Sequence, residues 1–192
     1  MVGLGNPGER YARTRHNVAW RVLDELAARH RAVAGEAHET YRTRRLVVAG
    51  RELSLLVPLT FMNASGEALQ AWRERHGLEE EGLLAVTDDV YLPLGVLRLR
   101  EQGSSGGHRG LESLEAAVAG PQYARMRVGV GAAESSAELK EHVLEEFAPE
   151  EIPALDAAVR RAADAVECWV SDGLIGAMNR FNRRIPEEES RS

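Results

Sequence analysis

Between residues 18 and 30 apolar side chains recur every three or four positions. In "VAWRVLDELAARH", Val18, Val22, Leu23, Leu26 and Ala27 fall on one face of a helix, with arginines and acids on the other. The strongest helical period runs over 150–171 through Ile152, Leu155, Ala158, Val159, Ala162, Val166 and Trp169, and a short helix follows around 173–182. Ser65 is placed to cap a helix reaching Arg75, and another helix is expected near Leu111–Val118. Elsewhere the pattern is extended. "MVGLG" reads as a short strand, and "YRTRRLVVAGRELSLLVP" as two runs about the Ala49-Gly50-Arg51 turn, a hairpin ending at Pro58. "GLLAVTDDV" has the continuous apolar character of a strand buried on both faces, emerging at two acids. "GVLRLR" and "ARMRVGVG" complete the strands.

Strand and helix patterns alternate without a composition break or a long linker. This predicts a single α/β domain over 1–185, a mixed and mostly parallel twisted sheet with helices on both faces, and a charged tail at 186–192. The loop "GSSGGHRG" and the segment 132–148 are expected to form mobile walls, because glycine-rich and acidic irregular stretches make few packing commitments. Hydrophobic residues make up 44% of the 192 and aromatics 5%, so the core is expected to be Leu, Val and Ala. No stretch approaches the roughly 20 apolar residues of a membrane span, and the N-terminus lacks the layout of a signal peptide. A cytosolic location, no membrane and a monomer are expected. The single cysteine, Cys168 in "AVECWVSD", cannot form an internal disulfide and reads as core filler.

A formal net charge of −6 argues against a protein coated in basic residues, but the charge is uneven. Residues 9–51 hold ten arginines against five acids, and Arg98, Arg100, Arg109, Arg125 and Arg127 form a second basic cluster. Either these clusters meet a polyanion or they are solvated surface.

The hexapeptide Gly3-Leu4-Gly5-Asn6-Pro7-Gly8 formally satisfies the dinucleotide fingerprint G-x-G-x-x-G. That fingerprint needs its third glycine to open a helix whose free N–H groups hold a pyrophosphate. Here "ERYARTRHN" follows Gly8 with no apolar stripe until Val18, and Pro7 removes a donor. The dinucleotide reading is therefore disfavoured. What the segment offers instead is Asn6 at the carboxyl end of a strand and His16 just before a helix, the place where open α/β sheets keep their ligands.

"VGLGNPGERYARTRHN", "PLTFMNASG", "DDVYLPLG" and "GSSGGHRGLESL" resemble, in the same order, motifs of bacterial peptidyl-tRNA hydrolase, from Val2 to about Gly131. The resemblance implies an enzyme that cleaves the ester between a peptide and the 3′-terminal ribose of tRNA, recycling tRNAs from aborted translation, with no metal, no cofactor and no obligate protein partner. It implies His16 as general base for water, Asp88 as the carboxylate holding the other ring nitrogen, Asn63 as the residue positioning water or the scissile carbonyl, and Asn6 as the contact to the peptide backbone. An imidazole with an unperturbed pKa near 6.5 suits that base. Successive strand residues point to opposite faces, so only one of Asp88 and Asp89 should reach His16. For the tRNA it implies Tyr11, Phe61, Asn63 and Arg109, with Arg100 and Arg127 on phosphates; Tyr11 and Phe61 could equally be core residues. His108 is expected to border the site, as a loop anchor or a substrate contact, while His30, His38, His76 and His142 read as surface residues.

The chain departs from the family pattern in places. Ala19 stands where Gly follows "HNV", Tyr91 where a third acid is usual, Thr87 where an aromatic or His precedes Asp88, and Arg109 where Asn follows "GGH". The rival reading is a non-hydrolytic RNA-binding member of the fold. Serine and metallo-hydrolases are disfavoured because neither G-x-S-x-G nor H-E-x-x-H occurs.

Overall fold

The computed structural model describes residues 1–77, 82–132 and 139–182. Its strands are β1 (Val2–Gly3), β2 (Val33–Ala37), β3 (Tyr41–Val48), β4 (Arg51–Pro58), β5 (Leu84–Asp89), β6 (Leu97–Arg100) and β7 (Ala124–Gly129). They form one sheet in the order β2-β3-β4-β1-β5-β7-β6. The central four, β4, β1, β5 and β7, run parallel; β2 and β3 on one side and β6 on the other join antiparallel. The helices are α1 (Val18–Arg29), α2 (Ser65–His76), α3 (Arg109–Ala117), α4 (Leu139–His142) and α5 (Ile152–Phe181).

Strand alternation explains the two cores. Leu84 and Val86 of β5 pack with the apolar stripes of α1 and α5, whereas Ala85 packs on the opposite face with α2 and α3. Leu55 and Val57 of β4 follow the first face and Leu56 the second. The sheet is thus covered on both faces, which is why β5 reads as an unbroken apolar run. Its acids are the first residues to leave this sandwich, at the carboxyl end beside β1.

The two C-terminal helices stand as expected: α5 comprises two helices that meet at Gly173, whose φ of +79° no side-chain-bearing residue adopts easily. Two other readings are refined. Ser65 is the first residue of α2 and no cap; its hydroxyl donates to the Met62 carbonyl, and a 3-10 turn over Met62–Ala64 leads into the helix. Strand β2 was not legible, because "VAGEA" is an edge strand with no buried residue, and Val33 is 58% exposed. Cys168 is buried in the α5 core. The proposed tail at 186–192, and residues 133–138 of the proposed 132–148 wall, lie outside the described residues. Among the described residues no helix is long and apolar enough to cross a membrane.

Candidate active site

The carboxyl ends of β1 and β5 open beside each other, and close packing of α1 shapes the exit from β1. Trp20 of α1 donates its indole N–H to the Gly3 carbonyl (3.0 Å), and a Cβ on Gly5 would sit 2.6 Å from that indole nitrogen. Gly3 and Gly5 thus admit a helix, not a pyrophosphate. Gly8, at φ +103°, turns the chain into a single 3-10 turn over Glu9–Tyr11, with no helix opening there. The dinucleotide cradle is absent among these residues.

The next segment delivers His16. Its backbone N–H donates to the Val143 carbonyl (2.8 Å), and that of Arg15 to the Glu145 carbonyl (3.0 Å). Arg15 is buried, donating to the Val130 carbonyl (2.8 Å) and in a fork to Glu151 (3.0 and 2.6 Å), with its guanidinium over the Phe147 ring. The backbone on either side of His16 is thereby pinned to the wall after β7. His16 Nδ1 lies 2.9 Å from Asp88 Oδ1. Asp88 is 2% exposed; burial alone would raise its pKa, but the adjacent His16 and His108 rings outweigh burial and hold the carboxyl well below the usual range. An ionised carboxylate only accepts, so Nδ1 carries the proton and His16 Nε2 is the free acceptor.

His108 is a second imidazole on the same carboxylate. Its Nε2 lies 3.0 Å from Asp88 Oδ1 and 2.7 Å from Thr87 Oγ1, while its Nδ1 accepts the Leu111 N–H (3.3 Å) and so caps α3. That cap places the proton on Nε2. His108 is therefore the loop anchor, and it borders the site as well. Asp89 points to the other face, where it accepts from Arg127 (3.1 Å) and from the Tyr91 N–H (2.8 Å). The donor atoms of His16, Asp88 and His108 lie within 4.8 Å of one another, close enough to consider a metal ion. Both ring nitrogens, however, address a single carboxylate oxygen at hydrogen-bond distance, so an ion would have to displace both protons and move Asp88.

Asn6 is buried, its backbone clamped by Asn17 in a reciprocal pair (2.8 and 2.9 Å). Its Oδ1 accepts the Met62 N–H (2.9 Å), which fixes the orientation of the amide and turns Nδ2 outward. Asn63 is exposed in the 3-10 turn beside Met62 and is not hydrogen-bonded to His16, whose ring is held by Asp88. Phe61 is 55% exposed and Tyr11 half-buried beneath Arg10, so Phe61 is not a core residue. Arg100 is exposed on β6 and Arg109 at the start of α3. Arg127 is committed to Asp89 and to the Ser104 and Ser105 carbonyls, tying down the glycine-rich loop. Arg125 leaves the surface cluster altogether: it is buried and paired with Glu115. His30, His38 and His142 are half-buried, His30 against Glu167 and His142 against the Gly131 carbonyl; only His76 of those four is exposed.

His16, Asp88, Gly107, Arg109, Arg127 and Lys140 border a crevice of roughly 180 Å³. A larger cavity, about 740 Å³, lies at the far end of the sheet by the α5 break and contains none of these groups.

The sequence profile of the family described as peptidyl-tRNA hydrolase matches residues 1–190. The chain belongs to the peptidyl-tRNA hydrolase family. The peptidyl-tRNA hydrolase of Roseiflexus castenholzii is 42% identical over 192 residues, covering all of this chain and 90% of its own. That of Listeria monocytogenes is 39% identical, covering 96% and 98%. The crystal structure of the Acinetobacter baumannii enzyme superposes with a TM-score of 0.88 at 32% identity, over 94% of this chain and 92% of its own. The family consists of hydrolases acting on the ester of peptidyl-tRNA. Against its pattern, Ala19 is accommodated in the core, Thr87 turns its hydroxyl to His108, and Tyr91 stands 71% exposed at the crevice. Sequence reading missed three supports of the His16–Asp88 arrangement: Arg15, Asn17 and Thr87. Arg15 had no signal, and Asn17, directly before α1, would pass for an ordinary helix cap.

Proposed function

We propose that His16 is the general base of peptidyl-tRNA hydrolysis. The observation that carries this reading is the 2.9 Å contact between His16 Nδ1 and the buried Asp88 carboxylate, with Nε2 left free beside the crevice. A water hydrogen-bonded to Nε2 attacks the acyl carbon as its proton passes to the ring, and the Asp88 charge stabilises the imidazolium. The tetrahedral intermediate then expels the ribose 3′ oxygen, which takes the proton back from Nε2. The products are the free peptide carboxylate and the intact tRNA terminus. Asn63, exposed and uncommitted, supplies an amide N–H to the developing oxyanion.

Asn6 reads the peptide. With Oδ1 engaged by Met62, the outward group is the Nδ2 donor, which suits a peptide carbonyl and disfavours the free ammonium of an ordinary aminoacyl-tRNA. Asn6→Ala should therefore narrow the preference for N-acetyl-aminoacyl-tRNA over the unblocked ester; an unchanged ratio would refute that role. Tyr11 and Phe61 offer faces for unstacked bases, and Arg100 meets phosphate.

Hydrolysis of N-acetyl-aminoacyl-tRNA in ¹⁸O-water tests the reaction itself. Water attack at the acyl carbon puts the label in the released carboxylate. Label incorporated into the ribose 3′ hydroxyl, or binding without turnover as in an RNA-binding member of the fold, contradicts it.

A further inference from the structure

Lys140 is the chain's one lysine among 24 basic residues, and it stands on the crevice wall. It lies on α4, one turn before Val143, whose carbonyl holds the His16 backbone. Arg109 borders the same crevice from the glycine-loop side, at the start of α3. The other charged groups of the crevice are already satisfied: Asp88 by two imidazoles, and Asp89 and Arg127 by each other. Lys140 and Arg109 are exposed, and neither has a hydrogen-bonding or ionic partner among the described residues. The crevice lining thus includes two uncommitted cations, one from α4 and one from the start of α3.

We infer that Lys140 and Arg109 together bind the 3′-terminal phosphodiester of the substrate, the linkage one ribose away from the ester, and so set the depth at which the acyl carbon meets His16. The inference rests on the hydrolase function proposed for this site. Among the substrate's charges this phosphate alone stands at a fixed distance from the ester in every tRNA, whereas charges on the peptide vary with its sequence. A crevice of roughly 180 Å³ is below the usual size of a pocket that engulfs a whole small ligand, which suits an acyl ester inside and a phosphate at the rim. A compact ammonium on a flexible stem can follow the phosphate as a point charge, while the guanidinium offers a directional fork. Among the described residues lining the crevice, no carboxylate is left unpaired to repel an anion there.

The test uses N-acetyl-aminoacyl esters of a CCA trinucleotide carrying either the natural terminal phosphodiester or a neutral methylphosphonate. Wild-type protein should favour the charged linkage by about five- to tenfold in kcat/KM, with a fall in kcat as well as a rise in KM for the neutral linkage, because the phosphate positions the acyl carbon. In Lys140→Met and in Arg109→Gln the preference should shrink toward unity, and Lys140→Arg should retain it. An undiminished preference in Lys140→Met, or no preference in the wild type, overturns the assignment. So does an effect of Lys140→Met that follows acidic side chains in the acyl group rather than the linkage, because the lysine would then read the peptide. Wild-type protein that turns over neither ester contradicts the hydrolase reading, and the inference falls with it.

Discussion

Asp88 concentrates the chemistry of the site in one oxygen atom. Oδ1 is shared by two imidazoles, so the carboxylate both fixes the tautomer of His16 and joins it, through His108, to the first turn of α3. Asp88→Asn keeps the shape and removes the charge; kcat should fall by about a thousandfold or more, with KM little changed, in steady-state assays. The same charge has a stability signature. Asp88 ionises below its unfolded value of about 3.9, so its contribution is fully present above that pH and is lost as pH falls through the folded value. Urea midpoints of wild type and Asp88→Asn should therefore differ above about pH 4 and converge as the pH falls below it; a gap that persists or grows between about pH 4 and pH 2 would contradict this. Much of the residue scale was legible, because Asp88 and Asp89 must face opposite ways on a strand and only one could meet His16. Arg125 was not legible. A basic residue on a strand looks the same in sequence whether it meets solvent or, as here, a buried ion pair with Glu115.

At the scale of elements, the site depends on how firmly the His16 segment is tied to the wall following β7. Arg15 makes that tie through Val130, Glu151 and Phe147. Replacing it with Met removes a bidentate ion pair and leaves the Val130 carbonyl without its donor. Glu151 is 26% exposed and can regain water, so the cost should be about 2 kcal/mol in denaturant unfolding, together with a lowered kcat. The opposite face has its own close approach: a Cβ on Gly66 of α2 would collide with the Ser113 carbonyl of α3. Gly66→Ala should destabilise by about 1–3 kcal/mol with a lowered Tm, since backbone gives way less readily than a flexible side chain. Element types were readable wherever periodicity was strong, as in α1, β5 and α5. Edge strand β2 and the 3-10 entry to α2 escaped because they are set by tertiary contacts, Thr43 pairing with Glu36 and Met62 with Asn6, that leave no local pattern.

The whole molecule is acidic yet would bind a polyanion, which needs only a local excess of cations, and exposed Arg98 and Arg100 on β6 and Arg109 and Lys140 at the crevice supply cations for it. KM for peptidyl-tRNA should rise steeply with salt, and Arg100→Ser should lower the log–log slope by about 0.7–0.9 for the one phosphate released. Arg127→Ser should behave differently, reducing kcat as well, because that arginine also fixes Asp89 and the glycine-rich loop. These effects modulate a reaction whose origin is His16 Nε2. The most direct measurement of that origin is the single-turnover rate of N-acetyl-aminoacyl-tRNA hydrolysis by His16→Asn at saturating enzyme. The account predicts intact binding with a rate at least about a thousandfold below wild type; a rate within tenfold of wild type would show that the proton of the attacking water goes elsewhere.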